Sequence, residues 1–414
     1  MTMLDFAVAA RSSAREDTPI VASVANSFEQ AGISPEEWDS FVLSVGGRLY
    51  SSYDWCRIWW HHYGRGRELR LFVFRKGERL VGLAPMFIER LWLGPVTIRI
   101  AKRLSADFVS AVFALPVSPQ WAGIIYRQIL TNFVDVEQCD AVWFGYLPAG
   151  DPTLAALRAV AGHPGGSVAL ARDMATGVEV SFQLPDRFDT YVAGLEKRAR
   201  QNYRRQLNLL NKSFTVESCL VSEPDDAAAA FLTFEEAHTE QWLADRRPGY
   251  FGDWPGSRAF NRDLVSRLAQ TGQVRLMTLN ADGRSVASQY ALTFGPNCHW
   301  RLPARSTERE MGRYGLGVLG LMQLLEQMTG EGIRYVDAGP GRYDYKVQYG
   351  GEESDFLSIL VKSTRAGSSR RVSLFLALSD LVHLLYYRIW RLKLAPRQPL
   401  RYGSLWRTWI RARM

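Results

Sequence analysis

Cysteine is scarce: the 414-residue chain holds four, at 56, 139, 219 and 298, and none forms a CxxC pair. Isolated thiols of this kind are reduced and mostly buried in a cytosolic protein, so neither a disulfide framework nor a structural zinc is expected. Histidine is equally sparse, six in all. No His/Cys spacing suits a metal ligand set, and the expectation is a chain without metal. The opening MTMLDFAVAARSSAREDTP lacks the basic start and long apolar run of a secretory signal. No stretch of about eighteen residues is free of charge, so no transmembrane helix is expected.

Acid is nearly missing from one region. From Val361 to Met414 there are twelve Lys/Arg against the single acid Asp380, while the whole chain is +8, which leaves residues 1–360 at net −3. The alkaline character belongs to a tail, and the slightly acidic body argues against a broad nucleic-acid surface. Inside the tail, VSLFLALSDLVHLLYYRIW is apolar and carries Arg370-Arg371 before it and RLKLAPR after it. Such a segment either lies in the headgroup region of an anionic membrane, binds a partner subunit, or packs on the protein's own core.

What is present in quantity is apolar and aromatic. Apolar residues make up 47% and charged residues 22%, values of a globular chain with ample core. The length suggests two or three domains. The spacing predicts a helix from Ser34-Pro35, an aromatic helix over 51–64, and a hairpin ELRLFVFRKGERLVGLAPMF turning at Lys76-Gly77. A strand near 96–103, a helix near 119–134, a strand at 141–147 and a helix at 151–163 follow. A Gly- and Ala-rich patch at 161–177 precedes a strand at 178–184. Helices are then predicted near 187–212, 225–245 and 257–271, strands at QVRLMTLNADG, SVASQYALTFG and NCHWRLPA, a helix over 314–330, and the strand IRYVDAG. The two hairpins, each with a short polar turn containing Gly, frame two copies of one α/β unit of about 150 residues. The expected boundaries are an irregular arm over 1–35, a first domain over 36–185, a second over 186–362, and the basic amphipathic tail over 363–414.

REMGRYGLGVLGLMQLLEQM sets Gly312, Gly315, Gly317 and Gly320 at the mouth of a helix, where free N–H groups and the helix dipole favour a phosphate. The same glycines match a dinucleotide fingerprint, with Asp337 about twenty residues on, but the polar loop RSTEREMGRY separates them from the preceding strand. Close helix packing is a further reading of the glycines. A third is the pyrophosphate loop of GNAT acyltransferases, although Gly312 stands where their Gln or Arg would be.

Four blocks resemble the tandem-GNAT acyltransferases called BioF2-like or CelD-like, which are related to the FemAB aminoacyltransferases. They are SSYDWCRIWWHHYGRGRELRLFVFRKGERLVGLAPMF (51–87), LEKRARQNYRRQLNLLNKSF (195–214), FLTFEEAHTEQW (231–242) and GIRYVDAGPGRYDYKVQYGGEES (332–354). The resemblance implies two GNAT-like α/β domains, each with a mixed central sheet flanked by helices. It also implies transfer of an acyl group, from acetyl-CoA or another acyl-CoA, to an amine or hydroxyl of a cell-envelope or exopolysaccharide (cellulose-type) building block. Arg313, Tyr314, Gly315, Leu316, Gly317 and Val318 would hold the donor. By the FemAB aromatic-Lys pattern, Lys346 would stabilise the oxyanion or leaving group, with Tyr343 or Tyr345 as general acid. Asp337 would orient the acceptor amine or take its proton, and His238, one turn after Glu235 and one before Trp242, is a candidate base. Lys197, Arg200 and Arg204 on the basic helix, with Trp242, are read as the acceptor grip. His61 and His62 read as packing. Two alternatives stay open: a FemAB-like enzyme using aminoacyl-tRNA, the only nucleic-acid partner expected, and a non-catalytic scaffold of a polysaccharide synthase.

Overall fold

The computed structural model describes residues 18–109, 111–247, 249–394 and 404–414. One mixed sheet of twelve strands forms its spine, in the order β1-β2-β3-β4-β5-β12-β6-β11-β10-β9-β8-β7. The first half supplies β1 (Ile20–Ala25), β2 (Glu68–Lys76), β3 (Arg79–Leu93), β4 (Val96–Arg103), β5 (Ala141–Pro148) and β6 (Val168–Gln183). The second supplies β7 (Val216–Val221), β8 (Val274–Ala281), β9 (Arg284–Phe294), β10 (Asn297–Arg305), β11 (Tyr335–Pro340) and β12 (Glu352–Ser363). The helices are α1 (Pro35–Ser44), α2 (Tyr53–Tyr63), α3 (Ala122–Thr131), α4 (Leu154–Ala161), α5 (Phe188–Gly194), α6 (Lys197–Ser213) and α7 (Pro224–Ala244). They continue as α8 (Gly249–Asp253), α9 (Ser257–Ala269), α10 (Leu316–Gly330), α11 (Asp344–Gln348), α12 (Ala366–Val382) and α13 (Ser404–Ala412). Local chemistry starts many of them: the Ser34 hydroxyl accepts the Glu37 N–H at 3.1 Å and Pro35 takes the first helical position.

Each half runs the same course, three antiparallel pairings and then a short parallel one. β4 meets β5 in parallel over Ile100–Lys102, and β10 meets β11 in parallel over Asn297–His299. Beyond those three residues each parallel pair splays into a wedge. The halves also exchange their last strands. β12 pairs with β5 of the first half, and the end of β6 pairs with β11 of the second. The sheet therefore does not divide at residue 185, because each half is completed by the other's chain.

Three sequence expectations change. The arm expected to be irregular contains β1, whose six residues pair with β2; residues 1–17 of it lie outside the described residues. The Gly/Ala-rich patch at 161–177 ends in the first ten residues of β6, which are held to β12 by the main-chain ladder. Those residues are largely half-exposed or exposed, so no apolar period marks them. The tail is partly folded onto the body: Trp406, Trp409, Ile410 and Met414 are buried, and Arg411 pairs with the buried Glu89 at 2.5 Å. Residues 395–403 of that tail, including Arg397 and Arg401, lie outside the described residues.

The two wedges differ. In the first half the Arg103 guanidinium fills the gap, donating to the carbonyls of Phe144 and Tyr146 and lying 3.4 Å over the Phe113 ring. Gly145, at φ +83°, makes this possible, since a Cβ there would sit 2.4 Å from Arg103 Nε. At the second wedge the cation is a lysine, bonded to a carbonyl of β11 and beside a ring of β10.

Candidate active site

That lysine is Lys346, on the single turn α11. Its side chain is 6% exposed, and Nζ donates to the Ala338 carbonyl of β11 at 2.6 Å. The ammonium lies 5.3 Å from the Trp300 ring of β10 and 4.9 Å from the Tyr343 ring. No carboxylate pairs with it among the described residues. Burial lowers its pKa to about 8, against the opposing pull of Asp337. A desolvated cation held by a carbonyl and two aromatic faces, at the mouth of a strand wedge, is built to meet negative charge. Tyr345 is half-buried and burial pushes its hydroxyl up. Tyr343 is exposed, its ring 6.2 Å from that of Tyr345.

Asp337 belongs to a different arrangement. Its Oδ2 accepts from His299 Nδ1 at 3.2 Å and from the Tyr50 hydroxyl at 3.4 Å, and its Oδ1 accepts from the Gly339 N–H at 2.8 Å. His299 Nε2 in turn accepts from the Leu49 N–H at 3.4 Å, which fixes the proton on Nδ1. Arg48 lies 3.7 Å from Asp337 and forms a two-pronged pair with Glu179 at 2.6 and 2.9 Å. Burial works against the charge of Asp337, but His299 and Arg48 hold its carboxyl well below the usual range. With both oxygens engaged, Asp337 joins the halves and positions the wedge.

His238 is 1% exposed, and its Nδ1 donates to the Pro303 carbonyl of β10 at 2.8 Å. Burial lowers its pKa to about 4, so it is neutral and a weak base at pH 7. Glu235, one turn earlier, turns away to Arg258 and Arg262. Trp242, one turn later, lies 6.1 Å ring to ring from His238.

The glycine turn is formed as a phosphate site requires in part. Residues 309–314 make a 3₁₀ turn, Gly315 takes φ +65°, and α10 follows. Gly317 is open, its nearest neighbour on the Cβ side being Arg305 Cδ at 3.9 Å. Arg305, Arg309 and Arg313 are exposed around this helix start. Together they suit phosphate groups. Gly315 is closed instead: the Gln206 side chain occupies the space a Cβ would take, 2.2 Å away, and its Oε1 is buried without a partner. Leu316 is buried and Val318 half-buried, so both pack as helix residues, and the Tyr314 hydroxyl accepts from Arg313 at 2.6 Å. Along β10 the outward edge is already met by α7, through His238 at Pro303 and through Gln241, which accepts the Arg305 N–H at 2.8 Å.

On α6 the structure selects another face from the one expected. Arg200 donates to the carbonyls of Ala193 at 2.6 Å and Leu195 at 3.3 Å, so it ties α5 to α6. Lys197 and Arg204 are exposed. A cleft of about 420 Å³ is lined by Arg198, Gln201, Asn202 and Arg205, with Gln348 of α11 opposite. Arg198 and Arg205 stand seven apart in RARQNYRR, a spacing that shares a helix face and was the available signal. Arg48, Tyr50 and Glu179 had no local signal, because their partners lie more than a hundred residues away, and His299 meets Asp337, 38 residues on. His61 and His62 end α2, where His62 pairs with Asp263 at 2.7 Å.

A family model described as an acetyltransferase (GNAT) domain matches residues 197–347. No curated protein matches the chain. Among solved structures, FemX has a TM-score of 0.56 at 12% identity, over 79% of this chain and 96% of that one. L-PGS from Bacillus licheniformis gives 0.48 at 13% identity over 85% and 97%, respectively. A tandem GNAT protein from the clavulanic acid biosynthesis pathway gives 0.39 at 14% over 83% and 98%. The glycine turn, the wedge of β10 and β11 and Lys346 all lie inside the matched span, so residues 197–347 are similar to an acetyltransferase (GNAT) domain, and strand exchange joins them to a first half with the same order of strand pairings.

Proposed function

We propose that the chain transfers an activated acyl group, with acyl-CoA (acetyl-CoA first) as donor, to an amine or hydroxyl of a cell-envelope or exopolysaccharide building block. The observation that carries the reading is Lys346, an unpaired, desolvated ammonium in the second-half wedge, where an oxyanion or leaving thiolate would develop. The arginines around Gly317 would take the donor's phosphates, Tyr345 would supply the proton for the leaving group, and Asp337 would hold the wedge in place. Arg198 and Arg205 replace Arg200 and Arg204 as the grip on a phosphorylated substrate. The filled wedge of the first half assigns that half to support. A second reading, an aminoacyl ester of tRNA as donor, is favoured by one feature: His238 and Gln241 already satisfy the edge of β10 that a pantetheine arm would follow.

Calorimetric titration separates the donors. Acetyl-CoA should bind the native chain, and Gly317→Leu, a change into open space, should abolish binding without lowering Tm. Silence toward acetyl-CoA, with transfer from aminoacyl-tRNA, would establish the second donor instead.

The apolar part of the tail bears on location. Ala366–Trp390 is long and apolar enough to cross a membrane by length and composition. Its inner face, Val372, Phe375 and Leu376, packs on β4 and its neighbours, while Leu374, Leu381, Leu384, Leu385 and Ile389 face outward. A helix held on one side by protein and apolar on the other suits the surface of an anionic membrane, with Arg370 and Arg388 toward the headgroups. The chain should co-sediment with phosphatidylglycerol vesicles, and Leu384→Glu with Leu385→Glu should reduce the bound fraction at least about tenfold. Equal sedimentation of both proteins would place the helix against a protein partner or solvent.

A further inference from the structure

Arg301 follows Trp300 on β10, and the two side chains serve different places. Trp300 faces Lys346, whereas the Arg301 guanidinium lies 5.1 Å from the Trp55 ring and 5.8 Å from the Tyr50 ring, in the space between β10 and α2 of the first half. Among the described residues it makes no ion pair with a carboxylate; the Tyr50 hydroxyl accepts a hydrogen bond from it, while its Nε is buried with no partner. Every comparable cation in the interior is answered: Arg48 by Glu179, Arg67 by Asp107 and Glu89, Lys102 by Glu89, Arg103 by two carbonyls, and Lys346 by one. An enclosed guanidinium with no counter-charge is costly, and such a cost is retained where a ligand supplies the missing charge.

The groups around it are also unanswered. The Tyr63 and Tyr250 hydroxyls beside it are buried without partners. Tyr63 is itself 8% exposed. Tyr250 and Arg301 both lie close enough to Tyr63 to act on its hydroxyl electrostatically, and Tyr250 does the same to Arg301. Tyr63 is held flat against Phe108, ring centroids 4.9 Å apart, and α8 sets Tyr250 beside Phe251 and Trp254. Each lost hydrogen bond in such a place costs of order 1–3 kcal/mol, so two unused hydroxyls beside one cation are not a packing solution. Arg301 keeps part of its side chain accessible, which leaves a way in.

We infer that Arg301, with the hydroxyls of Tyr63 and Tyr250, binds an oxyanion, carboxylate or phosphate, carried by the acyl acceptor. The inference deepens the acyltransferase reading and rests on it for the word acceptor. Lys346 and the glycine turn then serve the donor on one side of β10, and Arg301 reads the acceptor on the other.

The test uses the full chain and two probes, inorganic phosphate and acetate, titrated at constant ionic strength against chloride while Tm is followed. One probe should give a saturable rise of about 2–4 °C, and which one does so separates a phosphate from a carboxylate on the acceptor. The rise should vanish in Arg301→Met. The Tyr63→Phe/Tyr250→Phe double variant, which removes two oxygens and little volume, should need at least about fivefold more anion for the same rise. That double variant decides the matter should Arg301→Met fail to fold. No rise in the native chain, or an equal rise in the variants, overturns the assignment; the Arg198/Arg205 cleft is unchanged in all of them and cannot account for a difference. Acceptor-free thioester cleavage of acetyl-CoA, measured alongside, reports on the donor side alone, so loss of the acyltransferase reading and loss of the anion site are told apart.

Discussion

Lys346→Met should lower acyl transfer by about 100-fold or more while leaving Tm unchanged or raised. The methionine keeps the length and most of the volume of the side chain, so Trp300 and Tyr343 retain their packing. What is lost is the ammonium at the wedge, and the Ala338 carbonyl loses a single donor. Stability moves the other way because the charge is desolvated and has no carboxylate partner. Two pH effects follow. Burial brings the Lys346 pKa down to about 8, so a reaction that needs the ammonium should slow as pH rises through about 8. Over the interval from there to the ordinary lysine range, the unfolded chain holds a proton that the native chain has released. Stability from this residue therefore grows with pH across that interval, and Lys346→Met should abolish the growth. Turnover that survives the substitution, or a native rate that rises through pH 8, would remove Lys346 from the chemistry and favour the scaffold.

Arg48→Met should cost about 3–5 kcal/mol of stability at pH 7. The substitution leaves Glu179 and Asp337, both buried, without their shared cation. Glu179 lies on β6 and Asp337 on β11, while Arg48 comes from the segment between α1 and α2, so the loss falls where the two halves interlock. Sign and pH window can be stated from the carboxyls. Asp337 is held well below the usual range in the native chain, so it contributes stability above its unfolded pKa and loses it as pH falls through the folded one. Without Arg48 both carboxyls titrate higher, and acid relieves the variant sooner than it harms the native chain. Urea unfolding should show the deficit shrinking between about pH 7 and pH 4.5, and Glu179→Gln should restore part of it in the double variant. A deficit below about 1 kcal/mol would show the pair to be solvated and the halves joined by main-chain pairing alone.

Much of the local architecture was legible. The Lys76-Gly77 turn fixed the β2–β3 hairpin, where Lys76 pairs with Arg79, and the Asp282-Gly283 turn fixed its counterpart, where Ala281 pairs with Arg284. Ser34-Pro35 started α1, the sparse cysteines are unpaired among the described residues, two copies of an α/β unit followed from two similar series of elements, and their GNAT-like character from the family resemblance. Each of these depends on neighbours within a few residues, where turn chemistry and apolar period act directly. The strand exchange did not show, because the first ten residues of β6 are half-open to solvent and β12 finds its place through pairing with β5, more than two hundred residues earlier.

The site divides in the same way. Lys346 stood in a recognisable block, and the Arg/Lys content of α6 was evident. Which side of α6 faces a cleft depended on the position of α11, so Arg198 and Arg205 line it while Arg200 is drawn to α5. The locking of Asp337 by Tyr50 and His299 and the isolation of Arg301 were decided only when β10, α2, α7 and α8 came together. Local sequence was enough for most helices, both hairpins and the block that holds Lys346, while β1, β7, β12 and the first ten residues of β6 escaped it. The tertiary structure alone decided which charges are answered and which are left for a substrate, because a buried charge is defined by what surrounds it and its surroundings come from distant chain.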